Sequence, residues 1–125
     1  MEFALITDQH FCVRNSSQYF IDLYRKFYTT VFFPELKRRG IKLIVCLGDT
    51  WEDRKMLNVY GINAAKEMYF DIARDHGIKI ISILGNHDVY YRNTNSVHSM
   101  QFIEDSYDNV SIITILLFLI WMASN

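Results

Sequence analysis

The chain reads as an α/β protein built on a parallel sheet, and three features of its 125 residues predict that class. Short apolar runs alternate with longer segments of helical periodicity, the pattern of strands joined by helical crossovers. Two of the runs, 41–47 and 78–84, are apolar at almost every position, as strands covered on both faces are. Polar clusters follow three successive runs, at the carboxyl edge where parallel sheets carry their chemistry. Hydrophobic residues make up 50% of the chain and charged residues 22%, with nine Phe, eight Tyr and two Trp. That mix supplies one packed core and excludes disorder as the main state.

Residues 2–7 are expected to form the first strand, since their early charge and short length read better as a strand than as a secretory leader. A polar loop runs from 8 to 17, where Asn15, Ser16 and Ser17 are natural helix-start residues. From 18 to 39, Phe20, Ile21, Leu23, Tyr24, Phe27, Tyr28, Val31, Phe32 and Leu36 recur at three- and four-residue steps, which predicts one buried helical face. Pro34 must kink this helix or start a second one, and Gly40 stops it. The second strand is 41–47. A loop follows to about 57, then a helix over 58–75 closed by His76 and Gly77. The third strand is 78–84, the next loop 85–95, a short helix 96–104, and strand-like sequence resumes at 110–113. Residues 112–121 are nearly all apolar, far short of the ~20 needed to span a bilayer, and are expected as a buried strand.

The first strand ends in Asp8-Gln9-His10, the second in Gly48-Asp49 and the third in Gly85-Asn86-His87-Asp88. Residues two apart on an extended segment point the same way, so Asp8 and His10 are expected to aim a carboxylate and an imidazole at one point. Asp49 and Asn86 arrive from the neighbouring strands. The set is oxygen and nitrogen without thiolate, suited to manganese, iron or magnesium rather than structural zinc. A carboxylate such as Asp49 can bridge two cations, the clamp used for in-line displacement at phosphorus. His87 is then free to neutralise phosphoryl oxygens or protonate a leaving alkoxide, oriented by Asp88.

Asp-x-His, Gly-Asp and Gly-Asn-His-Asp in this order resemble the calcineurin-like metallophosphoesterase superfamily, over residues 1 to about 107. The stretches 48–55 (GDTWEDRK) and 86–95 (NHDVYYRNTN) look like the SbcD-type nuclease subunit, most of all the recombination endonuclease subunit of tailed phages. The resemblance implies a parallel-sheet half-sandwich and a metal-dependent DNA nuclease that acts in recombination or end processing. It implies two divalent ions, most of all Mn2+, with Mg2+ or Fe2+ as alternatives. Asp8 and His10 would hold the first metal, Asp49 would bridge, Asn86 would hold the second, and His87 with Asp88 would serve the phosphoryl group. Its implied partners are DNA, an SbcC-like ATPase and a second copy of the chain, with no membrane, in the cytoplasm of the cell or of a phage host. The dimer helices of that family would fall within 18–33, where periodicity alone does not separate a dimer face from a core face. The family's later Gly-His and Gly-His-x-His segments have no counterpart after His98, so 1–125 corresponds to the amino-terminal half of a catalytic domain. Weak hydrolysis of DNA by the chain alone, or none, is therefore expected. An inactive fragment or binding module, or a phosphatase of the same superfamily, are the alternative readings.

The bland readings bear on single residues. Asp and Asn favour turns and caps anyway, but three such clusters in order at successive strand ends are poorly explained by turn chemistry. Arg54, Lys55, Tyr90, Tyr91, Arg92 and Asn93 flank the site, where cations could hold phosphates and rings could pack on sugar or base; otherwise they are a solvated loop face. His76 is expected to end a helix and His98 to be structural or exposed. Cys12 and Cys46 fit neither a disulfide framework nor a zinc knuckle and read as reduced thiols of a cytosolic protein, Cys46 in the core. The net charge of −1 confines any nucleic-acid contact to a local patch.

Overall fold

Parallel pairing of four short strands organises the computed structural model of the protein, which describes residues 1–11, 17–48, 50, 59–84, 94–114, 120 and 122–124. The strands are β1 (Ala4–Ile6), β2 (Leu43–Cys46), β3 (Lys79–Leu84) and β4 (Val110–Thr114), and they lie in the order β1-β2-β3-β4. Ile6 stands opposite Cys46, Cys46 opposite Ser82 and Ser82 opposite Ile112, so one row of residues crosses the whole sheet. The expected α/β class with a parallel sheet is what forms.

Every crossover steps to the next strand in the same direction, and connections of one hand then place their helices on one face. The core shows the result. Ile44, Ile80 and Val110, with Ala4, Ile6 and Ile112 beside them, pack with Ile21, Tyr28, Phe33 and Leu36 of the first crossover and with Met68, Tyr69 and Ala73 of the second. Met100, Ile103 and Tyr107 complete that layer from the third crossover. Side chains alternate across a strand, so Val45, Ile81 and Ile83 belong to the opposite face. They too are buried, which is why these strands read as continuous apolar runs rather than alternating ones.

The first crossover is α1 (Gln18–Phe27), a π turn (Tyr28–Phe32) and α2 (Phe33–Arg39). Phe33 bonds through its N–H to the Tyr28 carbonyl, five residues back. Pro34 then falls in the first turn of α2, where no N–H is required. Of the two outcomes expected at Pro34, the start of a second helix is the one observed. Ser17 precedes α1 and its side chain makes no capping bond; Asn15 and Ser16 lie outside the described residues. The second crossover repeats the device: α3 (Val59–Ala65), a π turn (Lys66–Phe70) and α4 (Asp71–Asp75). Its widened turn lets three consecutive residues, Met68, Tyr69 and Phe70, all be buried, a run that an α-helix would spread around most of its circumference. The third crossover is α5 (Thr94–Ser106).

Both long crossovers end alike. Gly40 has φ 67° and Gly77 φ 69°, the left-handed conformation that glycine adopts without penalty. Gly40 N–H bonds to the Lys37 carbonyl and Ile41 N–H to Leu36; Gly77 N–H bonds to Arg74 and Ile78 N–H to Ala73. These paired bonds satisfy the last helical carbonyls. The residue after each glycine, Ile41 or Ile78, is buried and leads directly into β2 or β3. His76 occupies the helix end expected of it.

The expected strand over 112–121 is corrected. β4 ends at Thr114, opposite Leu84, the last residue of β3. Residues 115–119 and 121 lie outside the described residues, and Ile120 and 122–124 are helical with exposed side chains, so the strand does not reach 120. Among the described residues no helix is long and apolar enough to cross a membrane.

A Cβ added at Gly40 meets nothing within 4 Å, so its substitution is penalised by backbone conformation alone. Gly40→Ala is expected to lower stability by about 1 kcal/mol and Gly40→Asn by less. Urea midpoints at an unchanged slope would show this ordering; equal midpoints for Gly40 and Gly40→Ala would refute it.

Candidate metal centre

The site is built where β1 and β2 run out. Leu47 N–H bonds to the Ile6 carbonyl at 2.9 Å, Asp8 N–H to Gly48 at 3.2 Å and Phe11 N–H to Thr50 at 2.8 Å. The two segments thus stay laced together past the ends of their strands. Phe11 is a main anchor: 2% exposed, its ring lies 5.8–5.9 Å from those of Tyr24, Tyr28 and Tyr69. Burying such a ring contributes about 2–3 kcal/mol.

Between these ties the chain makes a tight protrusion. Asp8 has φ 54° and His10 φ 50°. Both are left-handed, a conformation that costs roughly 1–2 kcal/mol for an ordinary residue and that Asp and His tolerate better than most. Asp8 and His10 approach each other, but not by extended alternation: two left-handed residues flank the inward-facing Gln9. His10 Nε2 stands 3.5 Å from Asp8 Oδ1, with the side chains 39% and 56% exposed. Strain of this kind persists where neighbours over-determine it, and it collects at functional sites.

Gln9 points the other way. It is 6% exposed, donates from Nε2 to Tyr28 Oη at 2.9 Å and accepts from Cys46 Sγ at 3.4 Å. Cys46 Sγ lies also 3.4 Å from Thr50 Oγ1. Burial pushes the Tyr28 phenol well above its usual range, with the Gln9 hydrogen bond partly opposing, so Tyr28 stays a neutral partner. Cys46 is in the core as expected, yet the buried polar contacts among Gln9, Tyr28, Cys46 and Thr50 were not foreseen. The only signal for them is positional, since a residue between two outward-turned neighbours must face in.

Asp8 and His10 are the expected site residues that the structure describes. Asp49, Asn86, His87, Asp88, Arg54, Lys55, Tyr90, Tyr91, Arg92 and Asn93 lie outside the described residues, as does Cys12. Gly48 and Thr50, on either side of Asp49, are the residues bonded to Asp8 and Phe11. Among the described residues no group of three or more His, Cys, Asp and Glu gathers as a metal cluster. The Asp8–His10 pair nevertheless fits a cation. It offers one hard oxygen and one imidazole nitrogen side by side, and among the described residues nothing hydrogen-bonds the buried Nδ1 of His10, which leaves the ring's donor and acceptor choice open to a bound group.

A family model described as calcineurin-like phosphoesterase matches residues 1–119. No curated protein matches the chain.

Glycine ordinarily destabilises relative to alanine by about 0.5–1 kcal/mol inside regular structure. At position 8 the order is expected to invert, with Asp8→Gly more stable than Asp8→Ala by about 1 kcal/mol, because only the alanine carries the left-handed penalty. Chemical denaturation of the two variants tests this, and an alanine variant at least as stable as the glycine one would contradict the strained geometry.

Proposed function

Because the chain belongs to the calcineurin-like phosphoesterase family, whose chemistry is metal-dependent hydrolysis of phosphoesters, we propose that its substrate is the phosphodiester of DNA. The observation that carries the reading is the outward-turned pair Asp8 and His10, held against the β2 end. Asp8 and His10 would hold a first divalent ion, and Asp49 and Asn86 would complete the site for a second. Mn2+ is the preferred ion, with Mg2+ or Fe2+ as alternatives. When bound, the pair of ions supplies a nucleophilic water and charge neutralisation at phosphorus.

The chain's own groups do the rest. Asp8 and His10 hold their donors in place, since the backbone on both sides is hydrogen-bonded to residues just past β2, Leu47, Gly48 and Thr50. His87 neutralises the phosphoryl oxygens or gives a proton to the leaving oxygen, and Asp88 orients its ring. Arg54, Lys55, Arg92, Asn93, Tyr90 and Tyr91 hold the DNA backbone and bases. The sequence of the two flanking loops supports the assignment to an SbcD-type subunit working with an SbcC-like ATPase in recombination or end processing, in the cytoplasm.

A second copy of the chain is the remaining partner. Tyr19, Leu23, Phe27 and Val31 recur every four residues along the first crossover and are 44–69% exposed, whereas one buried face was expected of that helix. The apolar stripe supports a homodimer. Phe27→Glu is expected to shift the sedimentation of the chain toward the monomer at equal concentration; a wild-type chain that sediments as a monomer would exclude this role for the stripe.

The test of function compares a DNA oligonucleotide, a phosphopeptide and a nucleotide as substrates with manganese present, with and without the ATPase partner. Slow manganese-dependent DNA cleavage is expected, lowered about 100-fold or more in His87→Asn and abolished in Asp49→Asn. Preferred turnover of the phosphopeptide or nucleotide would replace the nuclease by a phosphatase. Intact duplex and single strands under all conditions would leave the chain as a binding module or inactive fragment.

A further inference from the structure

We propose that Gln9 is a positioning residue that aims Asp8 and His10 at their shared cation, through buried bonds to Tyr28 and Cys46; this rests on the reading of Asp8 and His10 as metal ligands. Gln9 lies between two residues of positive φ and is the buried member of the three. A carboxamide offers two donors and one accepting oxygen. Here both ends are engaged: Nε2 donates to Tyr28 Oη at 2.9 Å, and Oε1 accepts from Cys46 Sγ at 3.4 Å. The two partners belong to different layers, Tyr28 to the π turn of the first crossover and Cys46 to the last position of β2. Gln9 therefore pins the middle of the protrusion to helix and sheet at once. The ties at Asp8 N–H and Phe11 N–H hold only its ends.

The consequence for the ligands is geometric. With the side chain of Gln9 fixed, its Cα is fixed, and the left-handed turns on either side leave Asp8 and His10 little freedom except to face outward together. An apolar side chain at position 9 fills the same space but holds no direction. Tyr28 and Cys46 then lose the partner that selects the strained turn over its relaxed alternatives, and the 3.5 Å approach of His10 Nε2 to Asp8 Oδ1 is no longer specified.

The experiment is a Mn2+ titration of the full chain followed by electron paramagnetic resonance, with thermal unfolding of each variant measured separately. Gln9→Met is expected to weaken Mn2+ binding about 10- to 100-fold, the usual effect of removing a group that orients a ligand. Tyr28→Phe is expected to weaken it in the same direction, and the double variant no more than Gln9→Met alone, because Tyr28 acts through Gln9. Leu36→Ala, which removes buried volume at the opposite end of the first crossover, should lose stability and keep its Mn2+ affinity. If Gln9→Met and Tyr28→Phe bind Mn2+ as tightly as the unaltered chain while Asp8→Asn does not, the positioning role is overturned and the metal reading stands. If the unaltered chain binds no Mn2+, or Asp8→Asn binds it equally well, the metal reading itself fails and the role of Gln9 falls with it. Should Gln9→Met fail to fold, wild-type affinity in Tyr28→Phe alone overturns the proposal.

Discussion

Hydrogen bonding between the first two strands does not stop where the strands stop. The Ile6 carbonyl, the Asp8 N–H and the Phe11 N–H all find partners on residues 47–50, and this continued lacing is what every other feature of the site requires. A loop free at this edge would relax its two left-handed residues into the commoner β or right-handed regions. Held at both ends, it keeps them. The carboxylate and imidazole are presented to solvent as a consequence of backbone pairing, before any attraction between them is counted. Their own contact, between two half-exposed groups, adds little to stability.

The helical layer serves the same edge from below. Phe11, Tyr24, Tyr28, Phe33 and Tyr69 form a linked set of ring contacts, so the loop's anchor is clamped by both long crossovers. The π turns make this possible. In the first crossover the widened turn carries Tyr28 to the core while Pro34 is accommodated; in the second it brings Tyr69 and Phe70 into the core side by side. Burial raises the proton affinity of the Tyr69 hydroxyl far above that of a free phenol, with Gln9 partly opposing, and its large ring sits at the centre of the cluster.

Sequence patterning located β2 and β3 because their apolar runs are long and glycine-bounded, and it singled out Asp8 and His10 by their position after the first apolar run. What patterning missed is conformational. Nothing in Asp8-Gln9-His10 distinguishes an extended segment from two left-handed turns, and only the observed φ values do so. Gln9 carried no signal as a core residue because glutamine is ordinarily exposed. The stripe from Phe20 to Phe32 was read as one buried face, but three- and four-residue steps fit two adjacent faces equally, and the structure divides them: Ile21 and Tyr28 go inside while Leu23, Phe27 and Val31 stay out. Apolar content alone likewise favours a strand through residue 121, whereas Ile120 and 122–124 are helical.

The position of β1 has a bearing on how copies of this chain coexist. It lies at the end of the sheet order and is three residues long, so its outer edge offers a very short row of peptide groups to a passing chain. Edge strands that brief are poor templates for intermolecular pairing. Its Leu5 side chain is nevertheless 60% exposed, an apolar residue of the kind that turns longer edges into sites of runaway strand addition. Brevity at this edge thus protects against fibrous growth in the same few residues that deliver the candidate ligands.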